Sequence, residues 1–234
     1  MRIKHLEKFS VIDYPDKFAC IVFLFGCNFR CGFCHNPELV LRDSLDNISE
    51  KQVFDFLDKR KNRLEGVCIT GGEPLLSLDL DFLKKIKEKG FLIKIDTNGS
   101  YPERLREIID LGLVDFVAMD LKCDKESYSF LCGVDVDLNK IEESVKLIVE
   151  SGIDYEFRTT VIEEMHTKEN MKKMGEWVFG LIGKKAWKLS LQGFRNSGKV
   201  LDKSFEDKKN TEEIYLEELK EIMKNYFEEV EVRV

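Results

Sequence analysis

The sequence predicts an α/β protein with a parallel sheet, either an open doubly wound sheet or a curved partial (β/α)6 barrel. Six apolar runs of strand length alternate with amphipathic segments of helix length, the pattern of strand–helix–strand units. The unusual polar and glycine-rich stretches come just after these runs or in their last turns. The carboxyl ends of parallel strands form the site face of such folds. The 234 residues hold too few units for a complete eight-stranded barrel.

The strands are predicted from apolar or alternating runs. FACIVFLF is continuously apolar, as expected of a strand that is buried on both faces. The expected strands cover 18–25, 66–70, 91–96, 114–120, 154–161 and 186–192, and a short strand, VEVRV, ends the chain.

Capping residues mark the predicted helices. Ser49 and Gln52 have the spacing of a capping box, so a helix is expected to begin there. Gly90 follows LDLDFLKKIKEK and provides the left-handed residue that ends a helix. Pro102 is expected to begin the next helix, which runs to Gly112. Further helices are expected over about 138–151, 168–182 and 211–226, all on the outside of the sheet.

Composition limits the classes of function. The net charge of −7 and the pI near 5.3 argue against a nucleic-acid partner. The sequence contains no apolar run of membrane-spanning length and no apolar signal-peptide core, so no membrane association is expected. Seven cysteines in such a chain predict free thiols in a reducing cytoplasm. Without any linker-like segment, the chain is expected to form a single domain over 1–234.

Three cysteines are concentrated in GCNFRCGFCHNPEL, where Cys27, Cys31 and Cys34 fall within eight positions. Structural zinc prefers four protein ligands, and this loop provides three thiolates. A [4Fe-4S] cluster with one iron left open to a substrate fits the loop better, although a zinc-stapled binding module stays an alternative. The other cysteines are interpreted as small buried apolar residues. They are Cys20, Cys68, Cys123 and Cys132. The lone histidines His5 and His166 are also interpreted as structural.

The Cys-x3-Cys-x2-Cys pattern, with Phe33 before its last cysteine, resembles the signature of the radical S-adenosylmethionine superfamily. The preceding segment FSVIDYPDK and the run Cys34–Asn36 resemble the glycyl-radical enzyme activating enzymes. Among these, the resemblance is greatest to the anaerobic ribonucleotide reductase activating proteins and to pyruvate formate-lyase activase. It covers residues 9 to 160 well, and it implies a partial (β/α)6 TIM-like barrel of parallel strands with outer helices.

The resemblance implies an oxidoreductase whose [4Fe-4S] cluster binds S-adenosylmethionine and cleaves it reductively. The resulting 5′-deoxyadenosyl radical would take a hydrogen atom from a glycine of a partner protein. The implied partners are a glycyl-radical enzyme, such as an anaerobic ribonucleotide reductase, and a flavodoxin- or ferredoxin-type electron donor. The implied setting is an anaerobic cytoplasm.

The resemblance also implies roles for residues of this chain. Cys27, Cys31 and Cys34 would be the cluster ligands, and Phe33 and His35 would lie against the adenine. Nine residues at strand ends would contact the rest of S-adenosylmethionine or hold a monovalent cation near its carboxylate. They are Gly71, Gly72, Glu73, Asp96, Thr97, Asp120, Lys122, Arg158 and Gln192.

The sequence departs from the family pattern in places. Asp16 stands where the family usually carries a glycine, which puts the identity of the partner in doubt. The activases often have a histidine near the position of Gln192. The alternative enzymatic function is a radical S-adenosylmethionine enzyme that acts on a small molecule and is similar to 7-carboxy-7-deazaguanine synthase. The stretch 193–200 would then be a lid over the pocket, whereas an activase would need it as an open rim.

Overall fold

A computed structural model describes residues 1–41 and 46–234. Contacts between Cα atoms divide the chain into two compact units, which interleave along the sequence. Unit 1 comprises residues 1–28, 36–97 and 103–118. Unit 2 comprises residues 29–35, 98–102 and 119–234. The expected single domain over 1–234 stays a prediction.

Eight strands are hydrogen-bonded in chain order in one sheet. They are β1 (Ile3–Ser10), β2 (Ala19–Leu24), β3 (Gly66–Gly71), β4 (Leu92–Thr97), β5 (Phe116–Asp120), β6 (Asp154–Val161), β7 (Ala186–Gly193) and β8 (Phe227–Arg233). The six predicted strands match β2 to β7, and the first four residues of VEVRV lie in β8.

Eight α-helices alternate with these strands in the described residues. They are α1 (Pro37–Val40), α2 (Glu50–Asp58), α3 (Leu80–Glu88), α4 (Pro102–Asp110), α5 (Tyr128–Cys132), α6 (Leu138–Glu150), α7 (Lys168–Ile182) and α8 (Glu213–Met223). Two short 3-10 helices cover Pro74–Leu76 and Lys203–Phe205. None of the described helices has both the length and the apolar character needed to cross a bilayer.

The structure confirms the residues that were predicted to begin or end helices. The side chain of Ser49 accepts a hydrogen bond from the backbone of Gln52, whose side chain accepts from the backbone of Ser49 in return. Gly90 has a φ of 87°, which glycine adopts at little cost. Pro102 is the first residue of α4.

The sequence prediction missed β1 and the short helices α1 and α5. Strand β1 has few apolar residues, and it pairs with β2 in the antiparallel sense, so it lacks the pattern of a buried parallel strand. Lysines are common on such edge strands because they oppose pairing with other chains. Helices of four or five residues are too short to show a helical period.

In unit 1, β2, β3 and β4 pair in parallel, with Ile21 opposite Cys68 and Cys68 opposite Lys94. A core cluster that includes Ile21, Cys68 and Phe116 packs there. Burial raises the pKa of Cys68, so this thiol stays protonated and is part of the core, as the sequence predicted.

In unit 2, β6, β7 and β8 also pair in parallel, with Phe157 opposite Leu189 and Leu189 opposite Val230. A buried glutamate on β6 connects this strand to β7 through a hydrogen bond and to β8 through an ion pair. Glu156 is 1% exposed and accepts hydrogen bonds from Ser190 at 2.9 Å and from Arg233 at 2.7 Å. The parallel pairing in both units agrees with the predicted α/β class.

The capping box of α2 gives the first testable prediction. Ser49→Ala should lower the free energy of unfolding by about 1 kcal/mol, because the first turn of α2 loses the oxygen that satisfies a backbone N–H. Urea denaturation measures this change. Ser49→Asp, which keeps an acceptor oxygen, should unfold near the wild-type midpoint, and equal losses in both variants would contradict the capping role.

Candidate functional site

The two ends of the cysteine loop are held by backbone hydrogen bonds within separate units. In unit 1, Gly26 donates to the carbonyl of Leu39 at 2.8 Å, and Cys27 is half-buried. In unit 2, Cys34 donates to the carbonyl of Cys31 at 3.0 Å, which closes a tight turn. Cys31 is buried and Cys34 is half-buried.

The donor chemistry of this loop fits an iron–sulfur cluster. Cys27, Cys31 and Cys34 are free thiols, and thiolates are the usual protein ligands of such clusters. In residues 1–41 and 46–234, no group of three histidine, cysteine or acidic side chains is already gathered around a metal position. The assignment of the three cysteines as ligands therefore stays a prediction.

The glycine motif after β3 packs tightly against the backbone that precedes the cysteine loop. A Cβ at Gly71 would lie 2.2 Å from the carbonyl oxygen of Leu24, and a Cβ at Gly72 would lie 2.0 Å from that of Gly26. Gly72 donates to the carbonyl of Leu24 at 3.0 Å, and Glu73 donates to that of Gly26 at 2.7 Å. Both glycines are needed for this close approach of two backbones.

Glu73 already has structural partners in unit 1. It is fully buried, and its carboxylate accepts from the backbone N–H of Leu75 at 3.0 Å and from the hydroxyl of Thr97 at 2.9 Å. The carboxylate thus caps the 3-10 helix Pro74–Leu76 and fixes the end of β4. A contact from Glu73 to S-adenosylmethionine stays a prediction.

Lys94, which the sequence reasoning missed, is the buried partner of the predicted site residue Asp96. It is 1% exposed, forms an ion pair with Asp96, and lies 5.8 Å from the centre of the Phe116 ring. A buried lysine needs such a partner, because burial disfavours an isolated charge. The sequence does contain a signal for this pair. Lys94 lies two residues before Asp96, and residues two apart on a strand share one face.

Three of the predicted residues come together in unit 2. The Lys122 ammonium lies 2.9 Å from one Asp120 oxygen, and the Arg158 guanidinium lies 3.0 Å from the other. Burial alone would raise the pKa of Asp120, but the charges of Lys122 and Arg158 outweigh it and lower the pKa to about 2. Two cations share the Asp120 carboxylate, which holds both of them near the ends of their strands.

His166 holds the backbone beside this group. Its Nδ1 accepts from the N–H of Ile162 at 3.0 Å, and its Nε2 donates to the carbonyl of Lys122 at 2.7 Å. Burial lowers the pKa of His166, so the ring is neutral, with its proton on Nε2. This supports the structural role that the sequence predicted.

The aromatic residues of the cysteine loop pack against the segment after β7, within unit 2. His35 stacks on Phe194 with 5.5 Å between ring centres, and the Phe33 ring lies 6.1 Å from that of Phe205. The backbone N–H of Asp202 donates to the carbonyl of Gly32 at 3.0 Å. Sequence reasoning treated 193–200 as a lid or rim but gave no means of finding these partners, because they lie about 160 residues from the loop.

Gln192 and Asp16 are the two positions at which the sequence departs from the family pattern. Gln192 lies near the end of β7, opposite Thr160 of β6 and Arg233 of β8. Asp16 has a φ of 57°, in the left-handed region that favours glycine and that aspartate tolerates better than most residues. The aspartate thus keeps the backbone conformation that a glycine at this position would provide.

Comparison with known proteins identifies the family. The family model of the Radical SAM superfamily matches residues 21–179. The chain is 33% identical over 230 residues to a Methanocaldococcus jannaschii protein named as a glycyl-radical enzyme activating enzyme, covering 96% of this chain and 92% of the relative. It is 30% identical over 211 residues to the pyruvate formate-lyase-activating enzyme of Listeria monocytogenes, covering 80% of this chain and 85% of the relative.

A relative of the alternative class is also similar over a shorter length. The 7-carboxy-7-deazaguanine synthase of Methanospirillum hungatei is 32% identical over 157 residues, covering 66% of this chain and 62% of the relative.

Solved structures show the same fold. A domain of the pyruvate-formate lyase-activating enzyme from Bacteroides vulgatus superposes with a TM-score of 0.58 at 21% identity, covering 73% of this chain and 99% of that domain. SuiB of Streptococcus suis bound to S-adenosylmethionine gives a TM-score of 0.67 at 17% identity, covering 92% of this chain and 52% of SuiB. These likenesses confirm the predicted fold class.

The fold and the three-cysteine loop define an α/β enzyme of radical chemistry. The chain belongs to the radical S-adenosylmethionine superfamily. The predicted family and the predicted enzymatic class are therefore confirmed. Membership implies a [4Fe-4S] cluster and S-adenosylmethionine as cofactors.

The close contact at Gly72 gives a second prediction. Gly72→Ala should lower the free energy of unfolding by about 1–3 kcal/mol, because its Cβ would overlap the Gly26 carbonyl and force the two backbones apart. It should also lower the iron bound per chain after reconstitution. Gly180→Ala is the matched control, because nothing lies within 4 Å of its Cβ position on α7. A Gly72→Ala protein with wild-type stability and iron content would contradict the close packing.

The ion pairs of Asp120 give a prediction of pH dependence. A carboxyl group whose pKa is lowered to about 2 by folding stabilises the protein above its unfolded pKa of about 4, and this contribution is lost as the pH falls toward 2. Asp120→Asn lacks the contribution at every pH. The difference in unfolding free energy between wild type and variant should therefore be largest above pH 4 and shrink below it. Chemical denaturation across that range measures it, and a constant difference would argue against the ion pairs.

Proposed function

We propose that the protein is an activating enzyme that generates a glycyl radical on a partner protein. The observation that carries this proposal is the similarity to a named glycyl-radical enzyme activating enzyme over 96% of this chain and 92% of the relative. A match of that extent includes the strands after residue 160, where a substrate pocket would be closed. The run Cys34–Asn36, which is typical of activases, supports the same function.

The three cysteines of the loop would hold the cluster. When bound, the cluster supplies the electron that cleaves S-adenosylmethionine reductively. The chain contributes binding and orientation. Lys122 and Arg158 would bind the carboxylate of S-adenosylmethionine, because both are cations held by Asp120 near the ends of β5 and β6. Gly72 lets its backbone lie against Gly26, the residue before the first cysteine, and so would keep the loop in position. Phe33 and His35 would lie beside the adenine.

The proposal also predicts which classes of protein act with this enzyme. An anaerobic ribonucleotide reductase is the first candidate for the glycyl-radical enzyme, and a flavodoxin or ferredoxin is the candidate electron donor. Both follow from the resemblance of the segment FSVIDYPDK and the cysteine loop to the activases. The cytoplasmic location and the anaerobic setting also stay predictions from the sequence.

The direct test is the detection of a glycyl radical on a candidate partner. The reconstituted and reduced protein is mixed with a glycyl-radical enzyme and S-adenosylmethionine without oxygen, and electron paramagnetic resonance is recorded. We expect a doublet signal that collapses when the partner carries glycine deuterated at Cα. A partner whose radical glycine is replaced by alanine and a Cys34→Ala activase are the controls, and neither should give the signal.

A second candidate function is the production of a 7-carboxy-7-deazaguanine-type small molecule. Its support is the 32% identity to such a synthase across 66% of this chain. The two functions differ in what the enzyme modifies. Formation of 7-carboxy-7-deazaguanine by the reconstituted protein, with no radical on any glycyl-radical enzyme from the same organism, would replace the first proposal by the second.

We also propose that a monovalent cation binds near the carboxylate of S-adenosylmethionine. Its expected ligands are Asp96, Thr97 and Asp120. The two carboxylates already have cationic partners, namely Lys94 in unit 1 and Lys122 with Arg158 in unit 2. A cation beside Asp96 would share that carboxylate with Lys94. If the cation binds, S-adenosylmethionine should bind more tightly to the reconstituted protein in potassium chloride than in choline chloride at equal ionic strength. Equal dissociation constants by calorimetry would remove the cation from the site.

A further inference from the structure

The segment that carries Lys122 is held by β6, within unit 2. Lys122 lies two residues beyond the end of β5. The backbone N–H of Leu121 donates to the carbonyl of Arg158 at 2.8 Å, and the hydroxyl of Thr159 donates to the carbonyl of Leu121 at 2.8 Å. The peptide groups on both sides of Leu121 are therefore hydrogen-bonded to β6, the strand that carries Arg158.

His166 binds the next carbonyl of the same segment. It lies in the turn after β6 and is 0% exposed. Its Nε2 donates to the carbonyl of Lys122 at 2.7 Å, while its Nδ1 accepts from the backbone N–H of Ile162 at 3.0 Å. Two consecutive carbonyls, those of Leu121 and Lys122, thus accept from side chains that β6 and the turn after it provide.

The backbone of His166 is itself fixed. The N–H of His166 donates to the carbonyl of Ile162 at 2.8 Å, which closes the turn. The hydroxyl of Tyr215 on α8 donates to the carbonyl of His166 at 3.0 Å. Burial lowers the pKa of His166, so the ring is neutral and adds no charge to the cations beside it. What the ring contributes to this group is therefore the position of the Lys122 backbone.

The backbone position of Lys122 matters because its charge acts together with that of Arg158. The Lys122 ammonium lies 2.9 Å from one oxygen of Asp120, and the Arg158 guanidinium lies 3.0 Å from the other. Both cationic side chains are largely buried, so neither can move far to meet a ligand. A rotation of the peptide group that follows Lys122 would move the ammonium relative to the guanidinium.

We propose that His166 and Thr159 are positioning residues that hold the backbone of Lys122 so that its ammonium and the Arg158 guanidinium bind the same carboxylate of S-adenosylmethionine. The inference rests on the proposed function, because it takes Lys122 and Arg158 as the groups that bind this carboxylate. It adds that the affinity for S-adenosylmethionine depends on the end of β6 and the turn after it, as well as on the two cations.

The test compares the binding of two ligands to the reconstituted protein with its cluster oxidised, so that neither ligand is cleaved. S-adenosylmethionine carries the carboxylate, and decarboxylated S-adenosylmethionine lacks it. Calorimetry without oxygen measures both dissociation constants. A charge-assisted hydrogen bond contributes about a factor of ten to an equilibrium constant. His166→Asn should therefore bind S-adenosylmethionine about tenfold more weakly than the wild type and should bind the decarboxylated ligand equally well.

Two replacements of His166 separate its two hydrogen bonds. Asparagine offers an acceptor oxygen to the backbone N–H of Ile162, but its side chain is too short to reach the carbonyl of Lys122. Glutamine is longer and ends in a donor amide, so His166→Gln should restore an affinity for S-adenosylmethionine close to that of the wild type. Iron and sulfide per chain should stay at the wild-type level in both variants.

Two variants at other positions complete the test. Thr159→Val keeps nearly the same shape but lacks the hydroxyl, so it should also weaken the binding of S-adenosylmethionine alone. It carries the test if His166→Asn does not fold. Tyr155→Phe is the matched control, because it removes a hydroxyl that accepts from the backbone N–H of Trp187 at 2.9 Å, near the start of β6. It should leave both dissociation constants unchanged.

Several results would overturn the proposal. One is a wild-type affinity for S-adenosylmethionine in both His166→Asn and Thr159→Val. Another is an equal loss of affinity for the two ligands, which would indicate a general distortion of the site. If the wild type binds both ligands equally well, the carboxylate does not meet Lys122 and Arg158, and the proposal fails with that assignment. The glycyl-radical function fails differently, since the wild type would then prefer S-adenosylmethionine as expected but form no radical on any partner.

Discussion

Close contact between backbones holds the cysteine loop, and the chemistry expected of this chain depends on that contact. In unit 1, the carbonyl of Gly26 accepts from Glu73, and only a glycine fits at position 72 beside it. In unit 2, Arg30 donates to the carbonyl of Cys132, and only a glycine fits at position 133. Residues 25–36, which carry the three thiols, form no helix or strand, so these backbone contacts to neighbouring segments hold the loop.

Paired charges are the second requirement. Lys94 with Asp96 in unit 1, and Asp120 with Lys122 and Arg158 in unit 2, are ionised groups at or near the ends of parallel strands. Removing one partner of such a pair costs more than the pair itself contributes, since a charge is left poorly solvated. Neutral His166 strengthens the second group through its hydrogen bond to the backbone of Lys122. These ion pairs and hydrogen bonds hold the charged groups in position.

Much of the fold could be predicted from the sequence, because periodicity and capping are local properties. Strands β2 to β7 and the boundary signals at Ser49, Gly90 and Pro102 are each encoded within a few residues. Strand β1 could not be predicted in this way, since a charged antiparallel edge strand lacks the apolar run of its parallel neighbours. The resemblance of the cysteine pattern identified the family, which the comparisons confirm.

The details of the site were harder to predict because they depend on residues distant in sequence. The stacking of His35 on Phe194 and the backbone hydrogen bond from Arg30 to Cys132 join positions about 160 and 100 residues apart. Cys132 was interpreted as a small buried apolar residue, and its burial agrees with that interpretation. Only the structure shows that its carbonyl accepts a hydrogen bond from the backbone of Arg30, the residue before the predicted cluster ligand Cys31. Lys94, in contrast, was accessible to sequence reasoning through its two-residue spacing from Asp96.

The central claim is that this chain cleaves S-adenosylmethionine through a cluster held by its three-cysteine loop. The most direct measurement is the amount of 5′-deoxyadenosine formed without oxygen by the reconstituted, dithionite-reduced protein, beside a Cys31→Ala variant. The account predicts 5′-deoxyadenosine from the wild type and none from the variant. A wild-type protein that forms no iron–sulfur cluster and binds zinc tightly in its place would contradict it.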